Sequence, residues 1–171
     1  LLVLRFRTGH KGLSIQAKDF FPILFDHCFY LTTVLFITLL MASIFTKIIQ
    51  GDIPAYKIAE TEDCIAFLDV NPNAKGHTLC VPKKEVDKIT DLSQEDYLSL
   101  MSFSLKVAKA IERSVSCKRV GFTVIGLEVP HVHVHLIPLN SMADATFSKK
   151  EVLTPSDYET VAADIMAAYN N

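Results

Sequence analysis

Three imidazoles stand two residues apart in His131-Val132-His133-Val134-His135, and Leu136-Ile137-Pro138 come directly after them. Alternation with β-branched Val has the period of a strand. Residues two apart on a strand share a face, roughly 7 Å from one another. The spacing therefore predicts His131, His133 and His135 along one face and Val132, Val134 and Leu136 on the other, toward the core. Pro138 is expected to end this strand or to hold it at an edge. Three chemistries fit such a row. It could be a solvated or hydrogen-bonded polar face. It could bind a metal, since His at i and i+2 can share one Zn²⁺. It could perform covalent catalysis, one ring acting as nucleophile and its neighbours as acid, base or anion binders. Half of the chain's six His residues fall within five positions, a concentration that a plain strand face does not need. Imidazole suits nucleophilic work, because a pKa of about 6.5 leaves it mostly neutral near pH 7 and still able to carry a proton.

The rest of the composition narrows the choice. The 171 residues suffice for one domain with a sizeable core. A net charge of −2 and a pI of about 6.3 give no basic field for nucleic acid. Cys28, Cys64, Cys80 and Cys117 show no Cys-x-x-Cys spacing and read as free thiols of a cytosolic protein.

Residues 1–40 differ in character from the rest of the chain. Cys28 to Thr46 runs nineteen residues without a charge, long enough for a membrane span. An anchor, a signal peptide with Arg5, Arg7, Lys11 and Lys18 as its basic region, and upstream sequence foreign to the natural product are the alternatives. The third is favoured. The chain starts at Leu1, Met41-Ala42-Ser43 opens a soluble-looking domain, and no small-residue cleavage pattern ends the run. An anchor over residues 20–46 would also export the domain behind it under the positive-inside rule. The expected organisation is an apolar extension over 1–40 and one cytoplasmic domain over 41–171.

Several elements must position the histidine row. Ser43 is the expected N-cap of a short helix, Ile44 to Gln50, closed by Gly51. Ile44, Phe45 and Ile48 share one of its faces. Tyr56 to Glu60 and Cys64 to Asp69 read as a hairpin, and His77 to Pro82 as a third strand. Ser93 opens the longest helix, about 22 residues. Its apolar face is read as Tyr97, Leu100, Met101, Ser104, Ala108, Ile111 and Val115, with Lys106, Lys109 and Arg113 turned elsewhere. Arg119 to Ile125 is a fourth strand, Gly126 a turn, and the histidine strand the fifth. Residues 140–153 read as polar loop. Thr154-Pro155-Ser156-Asp157 is an N-cap, Pro at N1 and an early acid, opening a last helix to about Tyr169. The fold class expected is α+β: a five-stranded antiparallel sheet with one long helix and a C-terminal helix packed on one side.

His131-Val132-His133-Val134-His135-Leu136-Ile137 resembles the His-φ-His-φ-His-φ-φ signature of the histidine triad (HIT) nucleotide hydrolases and transferases, of the phosphoramidase-like branch. Ser43 to Ile49 with Gly51-Asp52-Ile53-Pro54 resembles the family's N-terminal block. Ala66 to Pro72 with Gly76-His77-Thr78-Leu79 and Val81-Pro82-Lys83-Lys84 resembles its second block. The likeness covers most of 41–171. It implies that His133 attacks the α-phosphorus of a purine nucleotide, that a nucleotidyl-imidazole forms, and that water hydrolyses it. It also implies that His131 and His135 flank and orient the nucleophile and that His77 is the family's fourth histidine. Asp69 would hydrogen-bond ribose hydroxyls, and Ile44, Phe45, Ile48, Phe67 and Val70 would line the base. Backbone N–H groups around Gly126 to Val129 could hold phosphate. A homodimer with joined sheets and catalysis without a cofactor or metal are implied as well.

The sequence also departs from the pattern. Where the family commonly carries a Gly-Gln pair, this chain has Gly126 and Leu127, followed by Glu128. The Cys pair that many bacterial members use for zinc is missing from the N-terminal block, so no structural zinc is expected. A dinucleoside polyphosphate hydrolase and a nucleotide-binding module with little catalysis remain the alternatives.

Overall fold

The computed structural model describes residues 42–148 and 150–171. The expectations for residues 1–40 lie outside the described residues. Among those described, no helix is long and apolar enough to cross a membrane.

The first element is helix α1, Ile44–Gln50. The Ser43 side chain accepts the Thr46 N–H at its start, and Gly51, at φ 84°, closes it in the left-handed region that glycine enters without Cβ strain. Strands β1 (Lys57–Glu60), β2 (Cys64–Leu68) and β3 (Thr78–Pro82) come next. Helix α2, Gln94–Ser114, starts at Ser93, whose hydroxyl accepts from Asp96 N–H. Strands β4 (Arg119–Thr123) and β5 (Val134–Leu139) precede helix α3, Pro155–Asn170. There Thr154 and Asp157 bond each other's backbone N–H, and Pro155 occupies the first turn. The five strands form one antiparallel sheet in the order β1-β2-β3-β5-β4.

One sheet face carries Ala66, Leu68, Cys80, Val134 and Leu136 against Leu100, Val107 and Ile111 of α2 and Val161 and Ile165 of α3. The other carries Ile65, Phe67, Leu79 and Val81 beneath Phe45 of α1. The long and C-terminal helices share one face, as expected, and the short α1 covers the opposite one. Strands β2 and β3 are buried throughout, as strands covered on both faces must be. Helix α2 also differs from its expected face. Phe103, Val107 and Ala110 are buried while Tyr97 is exposed, because α2 packs against α3 as well as the sheet and needs a wider apolar stripe.

The histidine segment departs from the expected strand. His131 and His133 lie ahead of the hydrogen-bonded ladder, and only His135 is inside it. The β3 ladder reaches β5 only from Thr78 to Cys80, opposite Leu136 to Val134. The carbonyl of Pro82, at the end of β3, receives the His131 ring instead of a backbone N–H. Pro138 neither ends the strand nor sits on an edge strand. It pairs with Val120 on β4 at a level where the β3 ladder has already stopped, so its missing N–H leaves no rung broken on that side. Residues 140–153 are more than a polar loop. A 3-10 turn, Met142–Ala145, buries Asp144, whose carboxylate accepts from the backbone of Asn140 and Ser141.

Candidate functional site

The rings form a continuous row on the α1 side of the sheet. His135 stands opposite Leu79 in the β3–β5 register, which puts it on the face that Phe67 and Phe45 occupy. Phe45 lies 4.9 Å from His133 and 6.0 Å from His131, centroid to centroid, both edge-on. His133 and His135 are 4.7 Å apart, and His135 and His77 are 5.2 Å apart. The structure thus brings together all four histidines singled out in the sequence, with Val132 and Val134 buried on the reverse face.

The hydrogen bonds decide which nitrogen of each ring carries the proton. A carbonyl only accepts and a backbone N–H only donates. Nδ1 of His133 is 2.7 Å from the carbonyl of His131, so Nδ1–H donates and the lone pair is left on Nε2. Nε2 of His131 is 2.8 Å from the Pro82 carbonyl and donates to it, so Nδ1 of the neutral ring accepts the Ser43 hydroxyl at 2.8 Å. Nδ1 of His77 accepts the Asn73 N–H at 3.1 Å, so its Nε2–H donates to Nδ1 of His135 at 3.0 Å. The remaining proton of neutral His135 is then on Nε2. Among the described residues Nε2 of His133 has no protein partner, and Ser104 Oγ is the one buried side-chain polar atom left unpaired. The lone pair of His133 therefore faces accessible space.

Burial disfavours the charged form of these rings. It pushes His77 down to about 3, helped by the Lys150 and His133 charges. It pushes His135 down to about 3, with His133 and His77 adding to the effect. His131 is lowered by burial too, against the opposing pull of the Pro82 carbonyl and Glu85. His77, His131 and His135 are thus held neutral near pH 7. Asp69 Oδ1 accepts the Asn71 N–H at 2.8 Å, while Oδ2 lies 3.5 Å from His77 Nδ1, too long for a good hydrogen bond. With His77 neutral that contact is no ion pair, and Oδ2 is available to a ligand hydroxyl.

The apolar residues assigned to a base divide into two groups. Phe45 and Phe67 are buried, 5.7 Å apart, and Ile48 packs on them. Ile44 and Val70 leave 50% and 75% of their surface uncovered, the condition of side chains that could flank a ligand. Gly126 adopts φ 70° in the loop after β4, and Leu127 and Glu128 beyond it are exposed, Leu127 by 89%. Sequence reasoning missed Asn73, Phe147 and Lys150. Asn73 fixes the His77 tautomer, and Phe147 lies 5.0 Å from His135. The Lys150 ammonium donates to Asn71 O and Asn73 Oδ1. No local periodicity marks these three. Asn73 reaches His77 within its own loop, and the Glu151 N–H bond to Pro72 O holds the chain beyond β5 against that loop, near Phe147 and Lys150.

Two residue sets invite a metal. Asp69, His77 and His135 offer ligand atoms within 4.8 Å of one another, but the two rings already use their facing nitrogens on each other. The other set is Ser43 and Thr46 at the start of α1, which meet Glu85 and His131. Two alcohols engaged in direct hydrogen bonds do not fit a structural zinc, which takes thiolate, imidazole and carboxylate.

The comparisons agree with this geometry. A family model described as the HIT domain matches residues 50–142, more than half of the chain. An adenosine 5'-monophosphoramidase of Schizosaccharomyces pombe is 40% identical over 99 residues, covering 57% of this chain and 74% of that protein. A HIT-like protein of Methanocaldococcus jannaschii is 42% identical over 105 residues, covering 56% and 77%. The crystal structure of a HIT-like protein involved in cell-cycle regulation from Bartonella henselae matches with a TM-score of 0.65 at 29% identity, covering 74% of this chain and 95% of that one. A Zn-bound histidine triad family protein from Mycobacterium smegmatis matches at 0.64 and 26% identity, covering 76% and 94%. With its ordered triad, its sheet topology and this match over more than half its length, the chain belongs to the histidine triad (HIT) family.

Proposed function

We propose that this protein hydrolyses nucleotide phosphoramidates, or related derivatives of purine nucleoside monophosphates, through a covalent nucleotidyl-His133 intermediate. The observation that carries the reading is the bond from His133 Nδ1–H to the His131 carbonyl, which leaves Nε2 as an unshared lone pair at the open side of the row. A neutral imidazole approaches an ionised phosphate without charge repulsion and leaves easily afterwards, so two displacements replace one difficult step. Similarity to the phosphoramidase of S. pombe supports the leaving group.

Each role derives from a tautomer. Nε2 of His133 bonds to the α-phosphorus as the P–N bond breaks. The departing nitrogen takes a proton from Nε2 of His135. For this the His77–His135 pair carries one proton beyond its neutral state, taken from solvent when the anionic phosphate binds and raises its affinity. In the second step water attacks phosphorus, its proton returns to His135, and His133 leaves neutral. Asp69 would receive ribose hydroxyls, Phe45, Phe67, Ile44, Ile48 and Val70 would enclose the base, and the Gly126–Val129 backbone would contact phosphate, near Glu128. The reading includes a homodimer and a cytoplasmic site of action, where nucleotides are found.

Rapid quenching of the protein with a labelled adenosine phosphoramidate in alkaline denaturant, which preserves a P–N bond to imidazole, followed by peptide mass spectrometry, tests this. The adenylyl group should appear on His133, and His133→Ala should lose turnover while still binding adenosine monophosphate. Near-normal turnover in that variant would overturn the mechanism. Rates on diadenosine polyphosphates measured beside the phosphoramidate decide between the two substrate classes. Unchanged activity after chelation would end the metal reading that the Asp69–His77–His135 cluster invites.

A further inference from the structure

The loop after β3 carries a carboxylate that the nucleotidyl-transfer mechanism does not use. Oε2 of Glu85 accepts the Ser43 N–H at 3.2 Å and the Thr46 hydroxyl. These are the two residues that start α1, and Ser43 is buried. Its oxygen accepts the Thr46 N–H at 3.1 Å and stands 2.8 Å from His131 Nδ1. The same loop holds the triad segment a second time, where Val132 N–H donates to the Val86 carbonyl. Glu85, Ser43 and His131 therefore form one chain of contacts that ends at the carbonyl to which His133 donates.

The direction of this relay matters. His131 is anchored at both nitrogens, by Pro82 O and by Ser43 Oγ. The His131 carbonyl shares a peptide plane with the Val132 N–H that Val86 O holds, the anchored ring pins the same residue through its side chain, and that carbonyl keeps the proton of His133 on Nδ1. Without the Ser43 hydroxyl, Nδ1 of His131 would be a buried acceptor with no partner, and the ring would turn or change tautomer to find one. The carboxylate keeps α1 in place over the row, with Phe45 at 4.9 Å from His133.

We propose that Ser43 and Glu85 are positioning residues for the nucleotidyl transfer, acting through His131 to set which nitrogen of His133 attacks phosphorus. This rests on the proposed covalent function. It goes beyond that function by assigning the nucleophile's tautomer to a hydroxyl on α1 and a carboxylate on the loop after β3.

Ser43→Gly is the informative variant, because glycine at an N-cap keeps the helix start nearly as well as serine while removing the hydroxyl. Single-turnover formation of the adenylyl-enzyme should slow by about 10- to 100-fold, the scale of a misplaced reacting group. Affinity for adenosine monophosphate should stay near wild type. Ser43→Thr should restore the rate, and Glu85→Ala should slow it while Glu85→Gln, which can still accept both bonds, slows it less. Two-dimensional ¹H–¹⁵N spectra of the imidazoles should show His131 as the Nε2–H form and His133 as the Nδ1–H form in the wild type, and mixed forms in Ser43→Gly. Unchanged ring signals in that variant would overturn the proposal, as would an unchanged rate or a parallel loss of rate and affinity. A wild type that never forms an adenylyl-enzyme would instead defeat the covalent reading, and the ring spectra would still decide the positioning role.

Discussion

His77 Nε2–H donates to His135 Nδ1 across 3.0 Å, joining residues 58 positions apart in one buried pair. Both rings are held neutral, and the proton of the pair that faces outward is on His135 Nε2. In the proposed mechanism the pair takes up one further proton before His135 gives one to the leaving group, and buried His77 fixes the orientation of that ring.

The pair makes stability depend on pH. Burial lowers both rings to about 3, against about 6.5 in the unfolded chain. Between those values the unfolded state binds more protons, so stability rises with pH there. The contribution is complete above about pH 6.5 and is lost progressively as pH falls toward 3. Each ring contributes up to about 1.4 kcal/mol per pH unit in that window. Thermal midpoints measured from pH 7 to 4 should fall, and should fall less steeply in His77→Gln. Equal slopes for the two proteins would show that the ring does not titrate as described.

His77→Gln should also separate orientation from chemistry. The amide can still donate to His135 Nδ1 but cannot share the extra proton, so kcat should drop by about 10²-fold or more, the usual scale of a lost general acid or base. Binding of adenosine monophosphate should remain. Steady-state kinetics with a phosphoramidate and calorimetric titration with the monophosphate check both.

The sheet has two edges that differ in character. Strand β1 carries Lys57 and Glu60 and an irregular register toward β2, features that discourage pairing. Strand β4 leaves Phe122 40% exposed and has no partner beyond it among the described residues. The proposed dimer should join two copies at β4. Phe122→Lys should shift sedimentation from dimer to monomer, whereas a charge at Lys57 reversed to Glu should not.

Gly76 precedes His77 at φ +88°, and a Cβ there would lie 3.0 Å from Val115 Cγ2. Gly76→Ala should cost about 1–3 kcal/mol in denaturant unfolding, from backbone strain in a region L residues rarely enter. Because His77 is the next residue, kcat should fall more than the loss of folded protein explains.

Leu127 is almost fully exposed where the family commonly places Gln. Leu127→Gln should change stability by no more than about 0.5 kcal/mol, as surface substitutions do. If the side chain reaches the phosphate, the added hydrogen bond to a charged oxygen, about 1.5–3 kcal/mol, should raise kcat/KM about 10-fold or more. An unchanged kcat/KM would place the loop away from the scissile bond.

The sequence by itself determined the order and type of the three helices α1–α3 and the five strands. Caps at Ser43, Ser93 and Thr154, the stops at Gly51 and Gly126, and the alternation of His with Val report local backbone preferences, which act within a few residues. It also determined the family, since the triad and both upstream blocks are contiguous motifs. The tertiary structure decided what those motifs do together. It placed α1 on the face opposite the long helices, released His131 and His133 from the ladder, and joined Ser43 to His131 across 88 positions. It also brought Asn73, Phe147 and Lys150 to the His77–His135 end. The tautomer of each ring is set by partners that only strand register and helix docking bring within hydrogen-bond reach, and no periodicity in the chain encodes them.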